Sequence, residues 1–453
     1  GADSAEANMT SGADGTIAIG YQAGAAITSG ADNLAIGLNA ADALDVGSYN
    51  IAIGALALTA DTKGSRSIAI GRRALMAQNF TSATDAYNVA IGFEAGNDIS
   101  TGVNNTLIGG QSGSTITTGG NNVAVGASAL VTNTTGANNV AVGAESLKIL
   151  TIGNHNTAVG YQSLITEDVG NHSTALGFGA LNKQNSDSDN EVTGNTGVGS
   201  YASYYNITGT HNTILGFEAG FGSLNYSHAN NTMVGYRAGT GVLGGGGNVA
   251  VGAEAGLALT AGDDNTLLGK GAGRTLTTGD DNTIIGSMAD SEGTGTNRAV
   301  GIGRDVTAVQ DYTTLGDGSD DIRAAHGTAT WATVSDQRFK KDIETSTAGL
   351  SFIEDLRPVT YKWKTKGELP NWSRAYEEGS EEQFKNSKHN HGFIAQEIKQ
   401  AIDNHSEIKD GFSMWYELSG EGSQQEIGET ALVPILVKAV QELSAKVKAL
   451  EDA

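Results

Sequence analysis

Polar and apolar positions alternate in a short motif that recurs throughout residues 1–316. The motif reads Asn-x-Ala-Ile/Val-Gly-x-x-Ala-Leu/Gly, and twelve of the sixteen intervals between its successive glycines are 17 residues long. The other intervals are 21, 22, 19 and 15 residues. The motif glycines are Gly20, Gly37, Gly54, Gly71, Gly92, Gly109, Gly126, Gly143, Gly160, Gly177, Gly199, Gly216, Gly235, Gly252, Gly269, Gly286 and Gly301. Such regular self-similarity predicts a solenoid of about 17 coils.

Each copy of the motif predicts one short β-strand followed by a tight turn. In the copy that begins at Asn122, Val123 and Val125 face one way and Ala124 faces the other. A 17-residue unit is too short for two helices, and segments rich in Asn, Gly and Thr are poor helix formers. A second extended piece, residues 275–278 in one copy, is expected to help close each coil. The array is therefore predicted to be mainly β, a parallel β-roll or β-solenoid roughly 80 Å long.

An asparagine stands four residues before the motif glycine in 14 of the 17 copies, and Thr16, Ser67 and Ser173 replace it in the others. Stacked coils place equivalent residues above one another at about 4.8 Å. We therefore predict an internal ladder of Asn side-chain amides that satisfies backbone groups of the turns.

The longer intervals indicate insertions around residues 81–86, 185–193 and 224–228. Insertions in a solenoid map to loops on one face, and such loops often carry recognition. Aromatic residues gather near two of them, namely Tyr201, Tyr204, Tyr205, Phe217, Phe221 and Tyr226. The alternative is that these surface loops merely tolerate extra length, and the sequence leaves both interpretations open.

Two sets of acidic residues in the array are candidate sites. Glutamates stand two residues after the motif glycine at Glu94, Glu145, Glu218 and Glu254. A carboxylate pair would suit glycoside cleavage, but other copies hold Gln, Arg, Ser or Gly there, which favours a solvated stripe. Asp263-Asp264 and Asp280-Asp281 would stack one coil apart and could hold a cation, although exposed turn carboxylates are the favoured interpretation. We predict no enzymatic activity in the array, and neither a metal nor a cofactor in the chain.

The chain carries 27 Lys and Arg against 50 Asp and Glu, a formal net charge of −23. This negative charge argues against nucleic-acid binding, which needs cations to neutralise phosphates. The chain has no cysteine, so neither disulfides nor thiol chemistry are expected. It holds no run of 18 apolar residues and no signal-peptide pattern at its start, so membrane insertion is not expected.

The composition changes at Ser335, beyond which lie all three prolines, three of the four tryptophans and dense mixed charge. Four motifs follow in order: Ser335-Asp336-x-Arg338-x-Lys340-Lys341-Asp342-Ile343, Leu356-Arg357-Pro358-Val359, His391-Gly392-Phe393-Ile394-Ala395-Gln396-Glu397 and Ala431-Leu432-Val433-Pro434-Ile435-Leu436. This set resembles the intramolecular chaperone auto-processing domain, also called the S74 peptidase domain, at the C-terminus of bacteriophage tail spikes and tail fibres. The resemblance covers residues 335–453 and implies a small α+β chaperone domain.

The resemblance also implies a self-cleaving serine peptidase with a Ser-Lys dyad. Ser335 would be the nucleophile, Lys340 the base, and the bond between Val334 and Ser335 the cleavage site, cut once and in cis. A serine needs such a base, and the nearby cations Arg338 and Lys341 would favour the neutral form of Lys340.

Three further residues of the motifs are candidates for assisting roles. His391 would assist catalysis or, as the favoured interpretation, have a structural role before a strand. Asp336 and Arg338 are expected to form an ion pair that fixes the turn, in preference to a direct catalytic role.

The last residues predict a helix with an apolar seam. Val433, Leu436, Val440, Leu443, Val447 and Leu450 are spaced alternately three and four residues apart, which is a heptad pattern. By coiled-coil preference alone, valine and leucine in these positions favour dimers, so a trimer rests on the family resemblance. An amphipathic helix that packs within its own domain is the alternative.

The array resembles the head repeats of trimeric autotransporter adhesins such as YadA, which form a left-handed parallel β-roll. Because single coils with small side chains bury little apolar area, a trimer with alanine and valine faces in contact would supply the missing burial. The predicted domains are a β-solenoid array at 1–316, a transition strand or linker at 317–334, and the chaperone domain at 335–453.

Together these resemblances imply a phage tail fibre or appendage protein, made in the host cytoplasm and located in the virion. Its array would bind a host-cell receptor, a glycan or a protein, and an upstream region would contact other virion proteins. The chaperone domain would trimerise and fold the array and then release itself, so it is not expected in the mature particle. The alternatives are a structural fibre spacer and a cell-surface adhesin with an uncleaved C-terminal trimerisation domain.

Overall fold

The computed structural model describes residues 10–223, 226–318, 320–327, 337–373, 375–408, 412–417 and 425–453. The chain divides into two compact units, Gly1–Val334 and Ser335–Ala453. The first is a parallel β-solenoid of about 17 turns, and the second is a small domain whose described residues form three α-helices and two short antiparallel strand pairs. The predicted fold class is therefore confirmed.

One three-residue strand per coil builds the solenoid, and each strand pairs in parallel with its equivalent in the next coil. A short 3₁₀ turn at Ser11–Ala13 precedes the first strand. The strands of this unit are β1 (Ile17–Ile19), β2 (Leu34–Ile36), β3 (Ile51–Ile53), β4 (Gly64–Ser65), β5 (Ile68–Ile70), β6 (Thr84–Asp85), β7 (Val89–Ile91), β8 (Thr106–Ile108), β9 (Val123–Val125), β10 (Val140–Val142), β11 (Thr157–Val159), β12 (Thr174–Leu176), β13 (Thr196–Val198), β14 (Thr213–Leu215), β15 (Thr232–Val234), β16 (Val249–Val251), β17 (Thr266–Leu268), β18 (Thr283–Ile285), β19 (Asp290–Ser291), β20 (Val300–Ile302), β21 (Thr307–Ala308), β22 (Tyr312–Asp317) and β23 (Asp320–Ala325).

The middle residue of each coil strand points into the solenoid. In β9 Ala124 is fully buried, while Val123 and Val125 on either side of it are partly exposed. The predicted alternation is confirmed, and the interior face is the one that carries alanine. The branched residues therefore lie on the outer surface of the single chain.

The predicted second extended piece is not a β-strand: residues 275, 277 and 278 are bends, and residue 276 has no regular secondary structure. The coils close instead through residues with a left-handed backbone, such as Asn138 (φ 58°), Glu145 (φ 58°) and Leu147 (φ 46°) in one coil. Additional two-residue strands occur only where β4 pairs β6 and where β19 pairs β21, among the described residues.

The last motif glycine is Gly303, and its assignment to Gly301 was wrong. β18 pairs β20 so that Ile285 lies opposite Ile302, which stacks Gly286 on Gly303 and makes the last interval 303 − 286 = 17 residues. A Cβ on Gly286 would come within 1.9 Å of the Gly303 oxygen, so this close stacking requires glycine. Gly301 takes the inward position of its strand, and two nearby glycines made the register ambiguous in the sequence.

The predicted asparagine ladder is confirmed. The backbone N–H of Asn265 donates to Asn248 Oδ1 at 3.0 Å, and Asn265 Nδ2 donates to the Gly279 oxygen at 2.8 Å. With the corrected register Ala299 takes the ladder position of the last copy, and it still donates its N–H to Asn282 Oδ1 at 2.9 Å.

Asn297, counted in the ladder from the sequence, belongs to a different column two residues earlier. There its Oδ1 accepts the backbone N–H of Asp280 at 2.7 Å, as Asn154 Oδ1 accepts that of Ala137 at 2.8 Å. Thirteen copies therefore keep the ladder asparagine, one fewer than the 14 inferred from the sequence alone.

Where serine replaces asparagine in the ladder, a buried carboxylate and a buried glutamine supply hydrogen bonds in its place. Asp61 is fully buried, and its Oδ2 accepts Gln78 Nε2 at 2.6 Å. Gln78 in turn donates to Ser67 Oγ at 3.0 Å and accepts Asn88 Nδ2 at 2.9 Å. The insertion around residues 81–86 follows directly after this network.

The second insertion, around 185–193, repeats the arrangement. Fully buried Glu167 accepts Gln184 Nε2 at 2.7 Å, and Gln184 donates to Ser173 Oγ at 2.8 Å and accepts Asn195 Nδ2 at 2.9 Å. At the third insertion, buried His228 takes the interior place. At each of the three insertions, therefore, a polar side chain occupies a position in the otherwise apolar interior.

A β-hairpin ends the solenoid. β22 pairs in parallel with β20 and antiparallel with β23, so that Leu315 lies opposite both Ile302 and Ile322. The predicted division between array and transition, at 316/317, falls inside β22. The strand predicted over residues 328–334 lies outside the described residues.

The second unit packs three helices around one small core. Phe352, Ile398, Met414, Leu432 and Ile435 are buried in its centre. Short 3₁₀ turns lie at Gln337–Phe339, Lys366–Glu368 and Glu429–Leu432. Its other elements are α1 (Leu350–Asp355), β24 (Val359–Tyr361), β25 (Asn390–Gly392), α2 (Ala395–Asn404), β26 (Trp415–Glu417), β27 (Gln425–Ile427) and α3 (Val433–Glu451).

Candidate processing and assembly sites

The predicted cleavage junction lies at the boundary between the two units. Val334, Ser335 and Asp336 are outside the described residues. Arg338 lies in the 3₁₀ turn Gln337–Phe339, and Lys340 directly follows that turn, with its backbone N–H donating to the Gln337 oxygen at 3.1 Å. Arg338 and Lys340 are both exposed. The Ser335–Lys340 dyad and the Asp336–Arg338 ion pair therefore stay predictions.

His391 lies in the middle of β25, not before a strand as expected. Its exposed imidazole is 3.4 Å through Nδ1 from the Thr360 hydroxyl on the paired strand β24. This places His391 on a short antiparallel pair of strands. An assisting role at the cleavage junction stays a prediction.

Helix α3 is joined to α1 by a charged hydrogen bond. Glu442 Oε2 accepts the backbone N–H of Leu350, the first residue of α1, at 3.0 Å. This bond, with lesser help from nearby Lys438, lowers the pKa of the Glu442 carboxyl. A carboxylate at a helix N-terminus satisfies an otherwise unpaired N–H. The bond fixes α3 against α1 through one face of α3.

A histidine that the sequence did not single out lies between two carboxylates in the same domain. His405 Nδ1 is 2.7 Å from Glu407 Oε1, its Nε2 is 2.8 Å from Asp355 Oδ2, and its ring packs edge-on against Phe352. The hydrogen bonds to Glu407 and Asp355 raise the pKa of His405. No motif or spacing pointed to this group, because its partners lie two and fifty residues away.

The predicted heptad seam of α3 is exposed along its whole length in the single chain. The exposed fractions are Val433 57%, Leu436 43%, Val440 65%, Leu443 51%, Val447 47% and Leu450 79%. A different face of the helix, with Ile435 and Ala439, contributes to the domain interior. Packing within the domain therefore does not account for these six apolar residues, which we call the helix seam.

The solenoid also carries a continuous apolar surface. The residue before each stacked glycine is Ile, Val or Leu in all 17 coils, and none of these residues is buried in the single chain. This apolar column comprises Ile19, Ile36, Ile53, Ile70, Ile91, Ile108, Val125, Val142, Val159, Leu176, Val198, Leu215, Val234, Val251, Leu268, Ile285 and Ile302. Exposed apolar surface of this extent is characteristic of an interaction site.

The glutamates proposed as a stripe take part in surface ion pairs. Their pairs are Arg73–Glu94 (3.1 Å), Lys148–Glu145 (2.7 Å), Arg237–Glu218 (3.4 Å) and Arg274–Glu254 (3.4 Å). A hydrogen bond from Gln162 and another from Lys148 lower the pKa of Glu145. Exposed pairs of this kind stabilise little. These contacts fit the solvated stripe and give no glycosidase site.

The carboxylates of the stacked aspartates accept backbone N–H groups of the preceding coil. Asp263 Oδ1 accepts the N–H of Gly246 at 2.7 Å, and Asp280 Oδ1 accepts that of Asp263 at 2.9 Å. Within the described ranges there is no group of three or more metal-ligating side chains.

Five of the aromatic residues noted near the insertions form one network of ring contacts. Tyr201 packs edge-on against Tyr204, Phe217 and Phe221, and Tyr204 stacks on Phe221 at 5.6 Å. Tyr205 adds edge-on contacts to the same rings. These rings therefore pack against one another within the array.

None of the helices in the described part of the chain is long and apolar enough to cross a membrane.

The comparison with protein families bears on the terminal unit. Residues 335–407 match the Peptidase_S74 family, described as chaperone of endosialidase. That family is associated with self-cleaving chaperone domains, and the match implies a C-terminal folding and trimerisation role in a β-solenoid protein. The match begins at Ser335, the first residue of the second compact unit. No curated protein and no solved structure gave a significant match.

Proposed function

We propose that this chain is a phage tail fibre or appendage protein that attaches to host cells, and that its C-terminal domain releases itself after folding. The observation that carries the proposal is the Peptidase_S74 match directly after a 17-coil parallel solenoid. A chaperone of this family next to an array whose copies must align in one register fits an assembly role.

The proposed assembly is a homotrimer. The helix seam and the apolar column are two separate surfaces, one in each unit, that are exposed in the single chain. The regular spacing of the column matches a second copy of the same array in the same register. Three seams brought together first would align three arrays before their columns pack against one another.

The proposed cleavage is an acyl transfer at the junction. The Ser335 hydroxyl oxygen attacks the carbonyl carbon of Val334 while Lys340 Nζ takes the hydroxyl proton. The carbon–nitrogen bond breaks, the nitrogen of Ser335 takes up the proton, and an ester to Ser335 remains. Water hydrolyses that ester, which leaves the carboxylate of Val334 and the free hydroxyl of Ser335.

Denaturing gel electrophoresis with N-terminal sequencing of the expressed full chain tests this proposal. The expected result is a C-terminal fragment that begins at Ser335 and is absent from Ser335→Ala and Lys340→Ala, while Lys388→Ala, at an exposed lysine outside the junction, still cleaves. One intact band in every chain would rule out self-cleavage.

The oligomeric state is measured on the same Ser335→Ala chain, which keeps the terminal domain. A trimer is expected, and deletion of residues 335–453 is expected to give aggregates. Soluble, correctly assembled trimers from the truncated chain would contradict the chaperone role.

A further inference from the structure

Two columns of surface side chains flank the apolar column of the solenoid. The leading column consists of the residue five positions before each stacked glycine, and the trailing column consists of the residue directly after that glycine. In one coil these residues are Asn121 and Ala127, on either side of strand β9, and both are exposed in the single chain. The apolar column therefore has a border on each side that belongs to the same coil.

The residue types in the two columns complement each other within seven coils. Where the leading residue is histidine, the trailing residue is aromatic, in the pairs His155–Tyr161, His172–Phe178 and His211–Phe217. Three consecutive coils combine a leading asparagine with a small trailing residue, in the pairs Asn104–Gly110, Asn121–Ala127 and Asn138–Ala144. One further coil carries opposite charges, Asp264 and Lys270.

Contacts within one chain do not explain this relationship, because they run along each column. His155 stacks on His172 at 5.0 Å between ring centres, and Tyr161 stacks on Phe178 at 5.6 Å. Among the described residues, no ring contact, cation–π contact or ion pair joins the leading column to the trailing column. The complementarity therefore calls for a contact between chains.

The charged coil supports this view. Asp264 and Lys270 are both exposed, and neither forms an ion pair in the described part of its own chain. Their coil thus offers one unpaired charge of each sign, on opposite sides of the apolar column.

Two other coils carry arginine in both columns, which would repel between chains. Arg72 lies over the Phe93 ring at 5.7 Å. The other three arginines form ion pairs within their own chain: Arg66–Asp85, Arg298–Asp311 and Arg304–Asp317. Their charges are therefore compensated before chains meet.

Cyclic symmetry brings the two columns together. In a closed homotrimer each interface is heterologous, so one side of a chain contacts the other side of the next chain. Rotation about an axis that runs along the arrays moves no coil along that axis. A leading residue therefore meets the trailing residue of the equivalent coil, which is the relationship seen in the sequence.

We propose that the leading column of one chain packs against the trailing column of the next chain, coil by coil. Histidine rings then lie against aromatic rings, and Asp264 lies opposite Lys270 of the next chain. The inference rests on the proposed homotrimer and names the residues that set its register.

Cysteine cross-linking of the Ser335→Ala chain tests this arrangement, because the chain has no cysteine of its own. Asn121→Cys/Ala127→Cys places one thiol in each column of one coil, and a short bismaleimide joins thiols that face each other. The left-handed backbone at Asn121 (φ 59°) accepts the substitution, since His155 stands in the same column with φ 59°. The expected result is a covalent trimer on a denaturing gel.

Three controls accompany the paired variant. Asn121→Cys alone and Ala127→Cys alone are expected to give no covalent product, because equivalent columns do not meet in a cyclic trimer. In Asn121→Cys/Ala253→Cys the thiols lie seven coils apart. At about 4.8 Å per coil this separation is about 34 Å, so no cross-link is expected.

Sedimentation velocity on the same proteins separates the two proposals. A trimer that the paired variant fails to link, or a link in either single variant, overturns the inference and leaves the homotrimer in place. A monomer contradicts the homotrimer and, with it, the inference.

Charge reversal gives an independent test on the Ser335→Ala trimer. Lys270→Glu is expected to lower its melting temperature by a few degrees, because two carboxylates then face each other, and Asp264→Lys/Lys270→Glu is expected to restore it. Asp32→Lys/Lys270→Glu has the same net charge but changes a distant coil, and it is expected to stay at the lower temperature. Equal melting temperatures in the two double variants would overturn the pairing of Asp264 with Lys270.

Discussion

The side-chain oxygen of Asn105 accepts the backbone N–H of Asn122, seventeen residues later, at 3.0 Å. Asn122 passes the bond on, since its Oδ1 accepts the N–H of Asn139 at 3.0 Å and its Nδ2 donates to the Gly136 oxygen at 2.9 Å. Asn122 thus links the coil before it, through its backbone N–H, to the coil after it, through its side chain. Buried amides in such a chain leave backbone groups unpaired when one member is removed.

Asn122→Ala is expected to lower the free energy of unfolding of the array. It leaves the buried N–H of Asn139 and the oxygen of Gly136 without these partners, at about 1–3 kcal/mol for each group. Chemical denaturation followed by circular dichroism measures the loss. Thr118→Ala, at an exposed position of the same coil, is the control and is expected to change little. Equal stability of both variants would contradict the ladder's role.

Val440→Glu is expected to prevent trimer formation by the Ser335→Ala chain. Val440 lies in the helix seam and is 65% exposed in the single chain, so its side chain is free to pack against other copies. Burying a valine contributes about 1.5–3 kcal/mol per side chain, and a glutamate there would place like charges together. Sedimentation velocity measures the mass.

Ala445→Glu introduces the same charge on another face of α3 and is the matched control for this substitution. It is expected to keep the trimer, because Ala445 is exposed and lies outside the seam. A monomer with Ala445→Glu, or a trimer with Val440→Glu, would show that the seam does not direct assembly.

The array is expected to lose stability as the pH falls from about 6.5 towards 4. Burial lowers the pKa of His228 from 6.5 to about 4, so the unfolded chain binds more protons than the folded one between these values. This difference corresponds to roughly 3 kcal/mol across the window. His228→Gln should remove that part of the pH dependence, whereas exposed His211→Gln should keep it. Denaturation curves at pH 7 and pH 4.5 measure both.

The fold of the array was predictable because residues with strict geometric requirements recur at its 17-residue period. The glycine at Gly126 is an example, since a Cβ there would lie 2.6 Å from the Gly143 backbone. The interior bridges were not predictable, because Asp61 and Gln78 look like surface residues until stacking places them one above the other. The register at Gly301 and Gly303 failed for a related reason, since two candidate glycines satisfied the same local motif.

The terminal domain was recognised through the order of its motifs and not through its packing. The heptad spacing predicted the helix seam, and its exposure excludes packing within the domain as the explanation. The clamp of His405 by Asp355 and Glu407 depends on long-range contacts that no local pattern encodes.

Because the coils are nearly identical, a strand could pair with the strand two coils away almost as well as with its neighbour. Such pairing would give an incorrectly ordered solenoid. The buried polar pairs remove this ambiguity. Skipping the coil that holds Gln78 would leave the Asp61 carboxylate buried without its amide donor, and Glu167 depends on Gln184 in the same way. Burying a carboxylate oxygen without a hydrogen-bond donor is far more costly than misplacing an alanine. The interior bridges thus specify which of the repeated coils become neighbours in the folded array.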